Sequence, residues 1–352
     1  MEERGVIRYG LVGAGILGRL HARVASEDPR VRLVAVYDVA HERAAELAER
    51  FPGAQACESL EALLAADIGA VSVATPDFAH YRATMAALEA GCDVLVEKPL
   101  ATTAEEALAI LDAAMARGRL LMVDHHNRWN PPFVAAHDTI AAGEVGPVRF
   151  ASLRLNDTVF VPTRYIAWAA QSSVLWFLGP HGVDTLRWLL DDDVAEVYAV
   201  RGEGVLTGAG VDTADFYVLT LRFRGGAIAT LEHSWIVSDS APSLFDLKCQ
   251  VQGATGTIFI DTSHNRTLEI YTPETPSGWP QVPFRDTSLM PVERGRQAGF
   301  AAASIRHFID CVATRQPPLV SGLDGLRAVE VLLAAERSAA LGTPVTVELH
   351  QP

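Results

Sequence analysis

Six residues, Gly13-Ala14-Gly15-Ile16-Leu17-Gly18, constrain the fold of this chain more than any other stretch. They follow a short apolar run, Val6 to Val12, and open a helix-like run, Arg19 to Ala25, so the glycines sit where a strand turns into a helix. The first glycine permits the tight turn, the second lets backbone N–H groups approach a pyrophosphate, and the third lets the helix pack against the strand. Gly13, Gly15, Ile16, Leu17 and Gly18 are therefore the expected phosphate cradle of a dinucleotide.

A second β-rich run, Val31 to Tyr37, ends in Asp38, twenty residues past Gly18. A carboxylate there can accept hydrogen bonds from ribose hydroxyls and would repel a 2′-phosphate, which favours NAD over NADP. Arg43, further along a helix, is the nearest cation that could swing toward it. Strand and helix runs then alternate: helices near Glu42 to Arg50, Leu60 to Ala65, Ala79 to Ala90 and Ala104 to Arg117, and strands at Ala70 to Ala74, Asp93 to Val96 and Leu120 to Asp124. Units of this length predict an α/β fold with a parallel sheet covered on both faces. The strands' C-terminal edge is where such sheets bind ligands, which places Thr75, Pro76 and Glu97-Lys98-Pro99 beside the dinucleotide, along one cleft.

Lys98 is the expected general base. Oxidising a secondary alcohol sends a hydride to nicotinamide and a proton to a side chain, and a lysine held at a strand end by a following proline is placed to take it. A free lysine ionises near pH ~10.4, so burial and the positive nicotinamide ring would have to lower that value.

The bulk composition sets outer limits. With 352 residues, 49% of them apolar and 20% charged, the chain can bury a large core in two domains, expected at 1–125 and 126–352 with the C-terminal segment packing back on the first. A net charge of -14 with scattered Lys and Arg argues against nucleic acid or an anionic membrane as partner. Cys57, Cys92, Cys249 and Cys311 form no C-x-x-C pair, and the N-terminus lacks a signal-peptide plan, so a cytoplasmic location is expected. No metal is expected: His125-His126 has no carboxylate or cysteine at ligand spacing. Ser172-Ser173 lacks a nucleophile elbow, and Asp191-Asp192-Asp193 reads as a solvated turn.

The residues together resemble a known family. Gly13-x-Gly15-x-x-Gly18, Thr75-Pro76-Asp77 with His80, Glu97-Lys98-Pro99, and His181 within Leu178-Gly179-Pro180-His181-Gly182-Val183-Asp184 are similar to the glucose-fructose oxidoreductase, inositol dehydrogenase and rhizopine-catabolism (Gfo/Idh/MocA) family. The resemblance runs through the closing stretch Phe308 to Val347. It implies a Rossmann domain followed by an α/β domain with an open, largely antiparallel sheet, an active site between them, and a homodimer or homotetramer. It also implies that His80 lies at the cofactor and that His181 contacts the reacting hydroxyl.

The second half agrees with that expectation at the level of strands: Val148 to Leu155, Ala195 to Arg201, Ala214 to Phe223, Ala227 to Ser234, Phe245 to Gln252, Thr257 to Ile260 and Thr267 to Tyr271 all read as strands, and Arg224-Gly225-Gly226-Ala227 as a hairpin turn. One departure stands out. Family members usually carry Asp four residues before the histidine, where this chain has Phe177; Asn156, Asp157 and Asp184 are the candidates to take over. Asn127, Trp129, Asn156, Arg164, Trp168, Trp176, Phe177 and His181 are the expected substrate contacts, aromatic faces for ring C–H groups and polar groups for hydroxyls.

The expected function is an NAD-dependent dehydrogenase of a sugar, sugar derivative or cyclic polyol. Two alternatives stay open: elimination or epimerisation with NAD regenerated in each cycle, and a non-catalytic dinucleotide sensor.

Overall fold

In the computed structural model, which describes residues 6–241, 243–263 and 286–352, the apolar runs of the first half become strands and the amphipathic runs between them helices. They are β1 (Ile7–Val12), α1 (Ile16–Ser26), β2 (Val31–Tyr37), α2 (His41–Ala48), β3 (Gln55–Ala56), α3 (Leu60–Leu64), β4 (Ala70–Val73), α4 (His80–Glu89), β5 (Asp93–Val96), α5 (Ala104–Ala116) and β6 (Leu121–Val123). The strands pair in parallel in the order β3-β2-β1-β4-β5-β6. β4, β5 and β6 are buried at every position, and their mostly apolar runs are interrupted by the buried Ser72 in β4 and Asp93 at the start of β5. The chain reverses direction across the sheet between β1 and β4, opening a crevice at their C-terminal ends.

Local chemistry sets the helix ends. Ser59 accepts the Ala62 N–H at the start of α3, and Thr103 accepts the Glu106 N–H at the start of α5. Gly118, with φ of +60°, ends the turn after α5.

The second half contributes α6 (Pro131–Ala141), β7 (Val148–Thr158), α7 (Val174–Leu190), β8 (Val194–Gly202), α8 (Val205–Gly208), β9 (Phe216–Phe223), β10 (Ile228–Val237), β11 (Phe245–Gly253) and β12 (Thr257–Asp261). After them come β13 (Val292–Glu293), β14 (Arg296–Gln297), α9 (Phe300–Thr314), α10 (Gly322–Leu341) and β15 (Val345–Thr346). A seven-stranded sheet runs β12-β11-β7-β10-β9-β8-β15. Its neighbours are antiparallel except β7 and β10, which are joined through α7, β8 and β9 and so can run parallel. The Gly225-Gly226 turn does connect β9 to β10, with Phe223 N–H donating to the Ala227 carbonyl at 2.9 Å. The strand expected at Thr267 to Tyr271 lies outside the described residues.

The chain divides into two compact units. One runs to His126 and takes in Val292–Val329 and His350–Pro352; the other holds Asn127–Pro291 and Glu330–Leu349. In the first unit α9 packs on α1, with Phe308 edge-on to Tyr9 at 6.5 Å. In the second, α7 lies on the sheet: a Cβ at Gly182 would stand 2.6 Å from Leu231 Cδ1, and one at Gly179 2.6 Å from Leu332 Cδ2 of α10. The other sheet face is open, exposing Tyr198, Val200, Val218 and Ile228.

Two glycines of the first turn should separate packing from binding. A Cβ on Gly18 would drive into the Gly13 carbonyl, whereas one on Gly15 meets no protein atom within 4 Å. Gly18→Ala should lose about 1–3 kcal/mol of stability in a denaturant melt. Gly15→Ala should melt with the wild type and lose only dinucleotide affinity, measured by titration.

Candidate active site

The glycine turn forms an open cradle. Gly13 has φ of +95°, a conformation that disfavours any side chain, and a Cβ there would stand 2.5 Å from the Ala74 carbonyl oxygen. Gly15 caps α1 with no side-chain partner, so the N–H groups of the first helical turn point to open space in front of the helix. That suits a diphosphate, with the helix dipole adding to the attraction. Asp38, just past β2, is fastened beside it: Ala14 N–H donates to Oδ2 and Ala40 N–H to Oδ1, each at 2.8 Å. A carboxylate has lone pairs left for ribose hydroxyls. Val39 is 91% exposed next to it, and Arg43 Nη1 is 4.0 Å from Asp38 Oδ1. The residues present thus fit a dinucleotide.

The turns after β4 and β5 are tied together by His80. Its Nδ1 faces the Pro99 carbonyl at 2.6 Å and its Nε2 the Thr75 carbonyl at 2.9 Å, so one imidazole spans Thr75-Pro76-Asp77 and Glu97-Lys98-Pro99. The Lys98–Pro99 bond is cis. Lys98 is 8% exposed at the C-terminal edge of the sheet, and Glu97 is buried. Glu97 therefore lies under this edge as an inner support of the turn.

Behind Glu97 runs a buried polar chain that the sequence reading did not foresee. Tyr9 Oη and Ser72 Oγ are 2.6 Å apart, Ser72 Oγ and His21 Nδ1 2.8 Å, and His21 Nε2 and Glu97 Oε1 3.2 Å. Asp124 Oδ2 is 3.6 Å from the same Nε2, and Ser304 Oγ donates to Asp124 Oδ1 at 2.6 Å. A carboxylate can only accept, so His21 Nε2 carries the proton of its bond to Glu97. Burial pushes Glu97 up, but the His21 hydrogen bond and field and the Lys98 charge outweigh it and hold the group near 2. Burial, with the Glu97 charge beside it, raises Asp124 to about 7. The donor atoms of His21, Glu97 and Asp124 lie within 4.8 Å of one another, a spacing a cation could use. Both His21 nitrogens already have protein partners, so we read the trio as a hydrogen-bonded network.

His125 and His126 follow β6; burial holds His126 down at about 4, and its ring lies 5.5 Å from that of Phe300. A signal for His21 was present in the sequence: it falls on the apolar side of α1, among Leu20, Ala22, Val24 and Ala25, where an unpaired imidazole would be costly.

In the second unit, His181 sits in α7, one turn after Phe177, and is 8% exposed. Phe177 is gathered with Trp168, edge-on at 5.8 Å, and with Trp235 at 5.7 Å. Trp176 is not brought to this group: it is buried and its Nε1–H donates to Glu336 of α10 at 2.8 Å. Arg164 is exposed on the turn Val161–Tyr165, and Trp129 is half-buried. Asn127 Nδ2 reaches Thr185 Oγ1 at 3.4 Å.

Each of the three candidates to replace the family carboxylate makes a side-chain hydrogen bond, while Asn156 Oδ1 is buried with no hydrogen-bond partner among the described residues. Asn156 Nδ2 donates to Glu232 at 2.8 Å, Asp184 receives Arg128 in a two-pronged pair at 2.6 and 3.0 Å, and Asp157 Oδ2 accepts the Trp235 Nε1–H at 3.2 Å. The environment of Phe177 is aromatic.

Comparisons with known proteins match both halves of the chain. The model of an oxidoreductase family's NAD-binding Rossmann fold matches residues 7–125, and that of the family's C-terminal alpha/beta domain matches residues 137–347. An inositol 2-dehydrogenase of Rhizobium meliloti is 29% identical over 95% of this chain and 97% of its own length. A 1,5-anhydro-D-fructose reductase of Ensifer adhaerens is 28% identical over 97% and 98%. Among solved structures, GenD2 from gentamicin A biosynthesis, in complex with NAD, superposes with a TM-score of 0.81 at 29% identity, covering 99% of this chain and 98% of that one. Among the described residues, no helix is long and apolar enough to cross a membrane.

The buried acids give stability a signed pH dependence. Asp124 has its folded value raised from 3.8 to about 7, so its contribution is full below about pH 4 and is lost as pH rises through about 7. Glu97, held near 2, contributes above its unfolded value of 4.5 and loses that contribution only as pH falls toward 2. Thermal melts should therefore show wild-type protein losing stability between about pH 4 and 7, and Asp124→Asn flattening that decline. An equal decline in the variant would refute the assignment.

Proposed function

We propose a function on one premise: the chain belongs to the Gfo/Idh/MocA oxidoreductase family, with its NAD-binding Rossmann fold and C-terminal alpha/beta domain. The activity that fits best is NAD-dependent oxidation, or the reverse reduction, at a secondary alcohol of a cyclic polyol or sugar derivative. The observation that carries this reading is Lys98, nearly buried on the sheet edge that holds the glycine cradle and fixed there through Pro99 and His80. The relatives named for inositol and anhydrofructose chemistry support the substrate class.

Bound NAD supplies the hydride acceptor. Lys98 Nζ, in its neutral form, takes the hydroxyl proton as the alcohol becomes a ketone, so the products are ketone, reduced cofactor and a lysine ammonium. His181 is the second group assigned to the reacting hydroxyl. Asp38, whose own field would oppose a 2′-phosphate, selects NAD. Phe177 and Trp168 offer ring faces to substrate C–H groups, with Asn127, Trp129, Asn156 and Arg164 as further contacts. The open face of the second sheet, with Tyr198, Val200, Val218 and Ile228, is the surface for pairing into a homodimer or homotetramer.

Phe177 also supports a second reading. Without a carboxylate there, transient oxidation followed by elimination or epimerisation would return the cofactor to NAD and leave no net NADH. A panel of inositols and sugars mixed with NAD decides between the two: rising nicotinamide absorbance marks net oxidation, and product formation without it marks the internal cycle. No change in either would overturn both.

Two substitutions test the roles. Lys98→Ala should lower kcat by at least ~10²-fold, the scale of lost general-base catalysis, while NAD affinity in a binding titration stays within a few-fold. Phe177→Ala should raise KM for the polyol more than it lowers kcat, because a ring face contributes to binding before and during the reaction alike.

A further inference from the structure

The buried chain behind Lys98 is more than the fold requires. Ordinary apolar side chains would fill the space under β5, and burying acids and an imidazole there costs free energy unless each finds a partner. Here six polar side chains, Tyr9, Ser72, His21, Glu97, Asp124 and Ser304, come from β1, β4, α1, the ends of β5 and β6, and α9, and they join into one continuous path. The path ends on the residue next to Lys98. Electrostatic coupling runs from Lys98 to Glu97, Asp124 and His126, so a change of charge in the path is felt at the lysine.

We propose that His21 is a positioning residue for the reaction: its imidazole clamps the Glu97 carboxylate beside Lys98, and so aims the lysine and sets the charge it works against. The inference rests on the reading of Lys98 as the base. His21 can do this because both of its nitrogens are used. Nε2–H donates to Glu97, while Nδ1 is held by Ser72, which is held in turn by Tyr9, so the ring cannot rotate away. The ionisable groups facing this site are Tyr9 from β1, His21 from α1, Asp77 and His80 from the β4 turn and α4, Glu97 and Lys98 from the β5 turn, and Asp124, His125 and His126 after β6.

The sign follows. An anionic Glu97 favours the ammonium form of Lys98. Glu97→Gln removes that anion, and His21→Gln removes the hydrogen bond that keeps it ionised, so both should make Lys98 give up its proton at lower pH. The shift for Glu97→Gln should be about one pH unit, the size produced by one neighbouring charge, with a smaller shift for His21→Gln.

Lys98 and Lys248 are the two lysines of the chain, so the readout can be direct. Protein labelled with 13C at the lysine ε-carbon gives two resonances, and Lys248→Arg identifies the Lys98 signal. Titrated with NAD bound, that signal should move to lower pH in Glu97→Gln and in His21→Gln. In polyol oxidation the acidic limb of the kcat–pH profile should shift the same way, with the pH-independent plateau of kcat falling and KM for NAD unchanged. Superimposable Lys98 titrations in wild type and both variants would overturn the proposal. If His21→Gln does not fold, Ser72→Ala, which frees Nδ1, must show the same direction of shift; no shift there is equally fatal. The resonance needs no turnover. Inactivity of the wild type toward polyols would therefore sink the functional reading and leave the lysine titration to judge His21 by itself.

Discussion

The structure depends on keeping one carboxylate charged out of water. Glu97 is buried at the end of β5, where an isolated charge would lose several kcal/mol of hydration, and the surrounding groups offset part of that loss, at Oε1 and through the field, while Oε2 has no hydrogen-bond partner among the described residues. His21 supplies a donor, Ser72 and Tyr9 hold His21, and Lys98 supplies the opposite charge. Asp124, buried and with the Glu97 charge beside it, rises to about 7 instead. Two acids a few ångströms apart are thus pushed in opposite directions by their partners, and proton and charge are sorted before any ligand arrives.

The second unit solves a different problem. Where the family resemblance implies a carboxylate one turn before the histidine, α7 carries Phe177, and two of the polar candidates near it are tied to partners. Arg128 and Asp184 form a buried two-pronged pair whose disruption would strand a charge; Asp157 holds the Trp235 indole. A polar group cannot be borrowed from either without opening a buried deficit. Trp168, Phe177 and the fully buried Trp235 therefore form a settled apolar cluster.

Much of the first unit was legible in the sequence because its signals are local. Val31 to Tyr37 and Asp93 to Val96 became β2 and β5 without change of bounds, since the buried centres Leu33–Val36 and Val94–Val96 are continuous apolar runs, as a parallel strand covered on both faces requires. The glycine turn was legible because each glycine answers a steric demand that any Cβ would violate or fill. The buried network was not, because its members stand at positions 9, 21, 72, 97, 124 and 304, and only the closed sheet brings them together. Trp176 and Phe177 show the limit from the other side: neighbours in sequence on one helix turn, they face about 100° apart, one toward Glu336 and the other toward Trp168. Composition marks both as aromatic, and only the helix phase assigns them.

The placement of His21 ties the glycine cradle to Glu97 through a single rigid element. Gly15 caps α1 at the cradle, and His21 lies six residues on, ~9 Å along the axis at 1.5 Å per residue, on the face that packs over β4 and β5. A shift of α1 large enough to loosen the diphosphate must also move the imidazole from Glu97. Gly18, whose missing Cβ lets the helix close on the turn, therefore sets the position of both ends. On the proposed roles, binding energy gained at the N-terminus of α1 would be delivered about 1.7 turns later as a fixed carboxylate beside the lysine. Nothing mobile needs to lie between them: the helix itself is the connection.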